Sequence, residues 1–291
     1  MDEKFSFIKA YQHNNELRKS FNDLSKTIHA IDFEDWYENG YWKSNYIPYS
    51  VFDKTTMVSN VSVSPMQFSY DNKTYNLLQI GTVMTKESYR NNGLIRGLLH
   101  EIELDYQDKT DGIFLFANDH VLDFYPKFGY KKYKEYEYFK TLDCNTSKIA
   151  ERVSLENKAN VELIKSAITS SCPQSEFFLQ NNMELAMFYI TKFMQKNVYY
   201  IKSQKAYVVA EENHGILYIY DIFAPNTVNI DKIAFAFGKE VKKIVLGFTP
   251  LKKETYDRKE VHEKVLTLFA KGTFFDNMQE RYLKIPILAH T

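Results

Sequence analysis

Between residues 77 and 104, an apolar run of β type joins a run of helical periodicity through one short polar turn, and no other stretch narrows the possible folds as much. Leu77-Leu78-Gln79-Ile80-Gly81-Thr82-Val83-Met84 reads as a strand, whereas Leu94, Leu98, Leu99, Ile102 and Leu104 recur at helical spacing. The turn is Tyr89-Arg90-Asn91-Asn92-Gly93-Leu94-Ile95-Arg96. Such a junction aims the unpaired N–H groups of the helix's first turn, and the positive end of its dipole, at one point. Phosphate is the usual occupant. The turn alone does not establish a ligand, because the same arrangement recurs in α/β proteins that bind nothing there.

The next segment adds a second signal. Ile113-Phe114-Leu115-Phe116-Ala117-Asn118 reads as a buried strand, and Asp119 to Tyr130 as a short helix ending at Gly129, with an aromatic strand after it. Strand, Asn, helix with Phe124-Tyr125, then Phe128-Gly129-Tyr130 resembles the second half of a GCN5-related N-acetyltransferase (GNAT) core. The family's turn is Arg/Gln-x-x-Gly-x-Gly/Ala. Arg90, Asn91, Asn92, Gly93 and Leu94 match it, Ile95 stands where a small residue is usual, and Arg96 and Gly97 continue the helix start. Ile95 leaves two outcomes open: it crowds the pyrophosphate, or it turns into the core.

The resemblance implies acetyl-CoA as co-substrate, with its pyrophosphate at residues 90–96. Its pantetheine arm would pair with the strand end at Val83, Met84 and Thr85 in the manner of an added strand. Main-chain N–H groups near Val83 would stabilise the oxyanion. Asn118 would touch the same arm, unless it only caps the next helix. Tyr125 sits where the family places the general acid for the leaving thiolate, the plainer reading being a packing aromatic. The segment holding Asp35, Trp36, Tyr37 and Glu38 would form one wall of the acceptor pocket, with Tyr41 and Trp42 beside it, and its acids would attract a cationic amine.

An amine with a pKa near about 10.4 must lose a proton before it attacks, yet the strand before the turn carries no carboxylate, only Gln79. Glu135, Glu137, Glu38 and Asp35 are alternatives for the base. A tandem GNAT arrangement resembling the enhanced-intracellular-survival type, without its sterol-carrier-like domain, would make the terminal carboxylate at Thr291 another. His29, His100 and His120 read as helix-face or surface residues.

The expected fold class is α/β, a GNAT fold of a mixed sheet flanked by helices, followed by a degenerate GNAT-like α/β domain. Residues 1–140 form the catalytic domain in this reading, 141–157 a polar linker and 158–291 the second domain. The second half repeats the element order, with strands expected at Val198 to Ile201, Ala206 to Glu211, Ile216 to Phe223 and Lys243 to Phe248, and a last one near Tyr282 to Leu288. Its loop Ala224-Pro225-Asn226-Thr227-Val228-Asn229 has neither arginine nor glycine, so no second coenzyme site is expected.

Composition sets limits. Lys+Arg and Asp+Glu both number 37, which gives no global electrostatic case for nucleic acid or an anionic membrane. The 22 Tyr and 22 Phe lie along strand-like runs rather than interleaved with basic residues, so they read as sheet and core residues. Cys144 and Cys172 show no metal spacing, and the seven histidines, His262 among them, are scattered, so no metal is expected. No leader-like start at Met1 and no roughly 20-residue apolar span is read, pointing to a cytoplasmic protein. The function expected is N-acetyl transfer to a primary amine of a small molecule or peptide by direct attack. The alternatives are a CoA-binding sensor or partner-binding module with impaired catalysis, or transfer of another acyl group. The abundant aromatics leave room for a homo-oligomer.

Overall fold

The computed structural model describes residues 5–261 and 266–291; Met1 to Lys4 and His262 lie outside them. The expected α/β class holds: two mixed sheets, of eight and seven strands, are flanked by helices.

The chain enters at β1 (Phe5–Lys9) and passes through α1 (Asn15–His29) and α2 (Glu34–Glu38). Asn14 caps α1, its side chain accepting from the N–H groups of Glu16 and Leu17. Three long antiparallel strands follow, β2 (Ile47–Asp53), β3 (Thr56–Tyr70) and β4 (Lys73–Thr85), then α3 (Leu94–Tyr106) and β5 (Gly112–Ala117), which lies parallel to β4. Leu94, Leu98, Leu99 and Ile102 are the buried face of α3. They pack on Val61, Val63, Leu78 and Ile80, each full burial stabilising by about 1.5–3 kcal/mol.

After the short β6 (Lys131–Lys132) come β7 (Tyr136–Thr141), β8 (Glu151–Arg152), α4 (Lys158–Thr169), β9 (Phe178–Leu179), α5 (Met183–Lys192), β10 (Val198–Ile201), β11 (Ala206–Asn213), β12 (Ile216–Phe223), α6 (Ile230–Phe235) and β13 (Lys243–Leu246). The chain then forms β14 (Asp257–Glu260), β15 (Thr267–Lys271) and α7 (Met278–Arg281).

The first sheet runs β1-β2-β3-β4-β5-β15-β6, with β9 also on β3, and the second β14-β7-β13-β12-β11-β10-β8. Both contain antiparallel strands leading to one parallel pair, β4 with β5 and β12 with β13. Beside each pair lies a strand from the other half of the chain: β15 on β5, and β7 on β13.

The apolar run near Tyr282 to Leu288 is not a strand, contrary to expectation. Its N–H groups are met singly: Lys284 by the Thr249 hydroxyl at 2.8 Å, Ile285 by Glu135 Oε1 at 2.8 Å, Ile287 by the Gly247 carbonyl at 3.0 Å. It is a buried tail that crosses from the second sheet to the first.

Candidate active site

Strands β4 and β5 pair only from Leu77–Gly112 to Ile80–Leu115, yet β4 runs on to Thr85 and β5 to Ala117. Beyond Ile80 they separate. A bulge lies at this point, since Ser62 faces Gly81 while Asn60 faces Met84, putting one extra residue in β4. Thr82 there has φ of 45°, a costly conformation for a β-branched residue. The Thr82 hydroxyl pairs with Tyr46 Oη at 2.5 Å, and its carbonyl accepts from Asn60 Nδ2 at 2.8 Å.

The gap opens into a cavity of about 1230 Å³. Its floor includes Val83, Met84, Thr85 and Asn118, and one end is the whole turn Arg90, Asn91, Asn92, Gly93, Leu94, Ile95 and Arg96. Gly93 takes φ of 71° as the N-cap of α3; no side chain caps the helix and no acid stands in its first turn. Nothing lies within 4 Å of where a Cβ on Gly93 would sit, so the glycine serves the backbone conformation rather than space. The turn is braced from behind. Arg90 N–H donates to the Glu87 carbonyl at 3.1 Å, Asn92 Nδ2 to the Tyr89 carbonyl at 3.2 Å, and Tyr89 Oη to Asp53 at 2.9 Å. Ile95 is half-buried, packed against the core under α3 while edging the cavity. Asn118 makes no side-chain cap to the following 3₁₀ turn and is exposed on the cavity wall.

Tyr125 is 5 % exposed and reaches the same cavity. Burial pushes its phenol up to about 12, so it stays protonated at neutral pH. Among the described residues no Asp or Glu lines the cavity, whereas Arg90, Arg96 and Lys127 do; this lining favours an anion.

Thr291 lies at the strand gap. A Cβ on Gly81 would meet its carbonyl oxygen at 2.5 Å and its Oγ1 at 2.9 Å, so only glycine admits the tail. The preceding His290 is stacked on Phe116 at 3.8 Å, and its carbonyl accepts from Tyr189 Oη at 2.8 Å. Burial pushes this imidazole down to about 3.

Of the four residues expected on the acceptor wall, Trp36 lines the cavity, its Nε1 donating to the Glu184 carbonyl at 3.0 Å. Asp35, Tyr37 and Glu38 do not line it. Asp35 is exposed and 3.6 Å from Lys192, Glu38 is exposed, and Tyr37 packs beneath the Arg18 guanidinium at 3.7 Å. Trp42 is core. The wall is completed by Phe33, Tyr46, Phe188 and Tyr189, which come from three separate stretches and carry no shared motif. His29 is no mere helix-face residue: it lines the cavity, burial lowering its pKa and a hydrogen bond to the Val83 backbone opposing that. His120 also lies on the rim. Glu135 anchors the tail and Glu137 pairs with Lys259 at 2.9 Å, both away from the cavity lining.

Residues 7–133 match the family model described as an acetyltransferase (GNAT) domain. Among solved structures, the chain is similar to a conserved protein of unknown function from Enterococcus faecalis, at 16% identity over 92% of this chain and 73% of that one with a TM-score of 0.58. It is similar to a GCN5-related N-acetyltransferase from Kribbella flavida, at 12% identity over 92% and 72% with a TM-score of 0.58. The Eis1 protein from Mycobacterium abscessus aligns at 11% identity over 91% and 73%, with a TM-score of 0.55. At these identities the likeness is one of fold. No curated protein matches the sequence.

Proposed function

Because residues 7–133 match the acetyltransferase (GNAT) family model, we propose that the protein transfers an acetyl group from acetyl-CoA to a primary amine while both are bound. The observation that carries this reading is the separation of β4 from β5 beyond Ile80 and Leu115, next to the uncapped, acid-free start of α3. An extended pantetheine arm has unpaired strand edge to bind, and the pyrophosphate has the N–H groups of the turn with Arg90 and Arg96. The half-buried Ile95 turns its side chain to the core, which leaves the turn's backbone open to the ligand.

The amine nitrogen attacks the thioester carbon, and main-chain N–H groups near Val83 stabilise the oxyanion that forms. The carbon–sulfur bond breaks, and Tyr125 gives its proton to the departing sulfur. In this reading a carboxylate at Thr291, beside the strand gap, takes the proton that the amine loses; among the described residues no Asp or Glu lines the cavity. The two sheets with a shared strand order support a tandem of one coenzyme-binding and one degenerate GNAT unit divided near residues 141–157. In the second, Ile287 and Tyr220 crowd Gly247, at the place where the first has its gap.

A thiol-release assay with acetyl-CoA and a panel of amines tests the reading. Turnover with at least one amine, lost when two glycines are added after Thr291 although acetyl-CoA still binds, is expected. Undiminished turnover in the extended chain would remove the carboxylate from its role, and acetyl-CoA binding without thiol release from any amine would favour a sensor.

A further inference from the structure

A second cavity of about 450 Å³ adjoins the first, with Trp36, Tyr46, Leu185 and Thr291 in the lining of both. Among the described residues no Asp or Glu lines it, and Lys109 is the single charged side chain there. Four of its polar atoms are buried without a hydrogen-bond partner: Asn45 Oδ1, Ser64 Oγ, Asn182 Oδ1 and Thr291 Oγ1. Ser64 is only 3 % exposed. Asn182 occupies the N-cap position of the ten-residue α5, yet its side chain makes no cap bond, although capping is what asparagine ordinarily does there.

Buried polar atoms are paired in nearly all folded proteins, and each orphan costs about 1–3 kcal/mol. Four around one cavity, one of them on Thr291 where it adjoins the strand gap, form a set of contacts awaiting a ligand. Two amide groups and two hydroxyls suit a ligand hydroxyl, which both donates and accepts. They do not suit a further ammonium, because a buried cation needs a carboxylate partner and the positive end of α5 opposes it.

We propose that this cavity is the acceptor subsite, and that it takes a small primary amine carrying hydroxyl groups and no second positive charge, held by Asn45, Ser64 and Asn182 with its nitrogen toward Thr291. The inference rests on the transferase reading and adds the class of acceptor.

The test is calorimetric titration of the full chain, with and without saturating CoA, using D-glucosamine as probe and spermidine as comparison. Saturable glucosamine binding, at least ten times tighter than that of spermidine, is expected. Asn45→Leu with Asn182→Leu should weaken it at least tenfold while acetyl-CoA affinity and the melting temperature hold. Ser64→Ala, which deletes only a hydroxyl, should weaken it several-fold and guards against a misfolded double variant. Spermidine binding as tightly, absence of saturable glucosamine binding, or variants that bind it unchanged would each overturn the inference. Failure of acetyl-CoA to bind the unaltered protein would instead strike the transferase reading, since the titration without CoA reads the subsite by itself.

Discussion

Tyr125 and Gly81 do different work within one cavity, and their substitutions should separate. Tyr125→Phe keeps the packed ring and removes the proton, so kcat should fall about 10²-fold, in the range of general acid catalysis, with acetyl-CoA affinity unchanged. Equal kcat in the variant would dismiss the acid. Gly81→Ala places a methyl 2.5 Å from the Thr291 carbonyl oxygen, so the tail must move; turnover should drop with little change in coenzyme affinity. Asp221 offers a test of stability. Burial raises its carboxyl from 3.8 to about 7, so its favourable contribution is whole below pH 3.8 and is lost as pH rises through 7. Asp221→Asn should therefore gain over the parent as pH goes from 5 to 8, by on the order of 2 kcal/mol, as read by denaturant unfolding at each pH. At this scale the local turn and the family resemblance pointed to Arg90, Gly93 and Asn118, all of which line the cavity, because a turn and a strand end are local. His29, Tyr46, Phe188 and His290 reach the cavity only through tertiary packing, and a left-handed Thr82 follows no local rule, so none of them was legible.

The most readable element was β4–turn–α3, where two periodicities meet at a glycine. Gly93→Ala should cost about 1 kcal/mol from its φ of 71° alone, and Arg90→Glu should weaken acetyl-CoA at least tenfold by placing a negative charge at the helix start. Titration of both variants beside the parent checks this; equal affinities would mean that the turn holds no phosphate. The tail was misread for a physical reason. An apolar run buried on all sides looks like a central strand, but here Thr249, Glu135 and the Gly247 carbonyl accept its N–H groups one at a time. The exchanged strand β15 was missed because its run is only five residues long and its partner β5 lies about 150 positions earlier.

The whole molecule is tied together by reciprocal strands. β15 pairs with β5 over Thr267–Ala117 to Lys271–Ile113, and β7 with β13 over Lys243–Thr141 to Leu246–Tyr138. A fragment ending at residue 157 would expose the β5 edge and leave β7 without its sheet, so it should aggregate or fail to show a cooperative melt; a soluble, cooperative fragment that binds acetyl-CoA would contradict the dependence. Strands β4, β5 and β10 to β13 were legible from the sequence, but the exchange between halves was not, because pairing across such distances leaves no periodic mark. The central claim is that the gap between β4 and β5, closed at one end by the turn at Arg90, is the coenzyme site. Calorimetric titration of the purified chain with acetyl-CoA, run beside Arg90→Glu, tests it most directly. Saturable one-to-one binding that the substitution weakens at least tenfold is the predicted result, and absence of binding, or binding indifferent to Arg90, would contradict it.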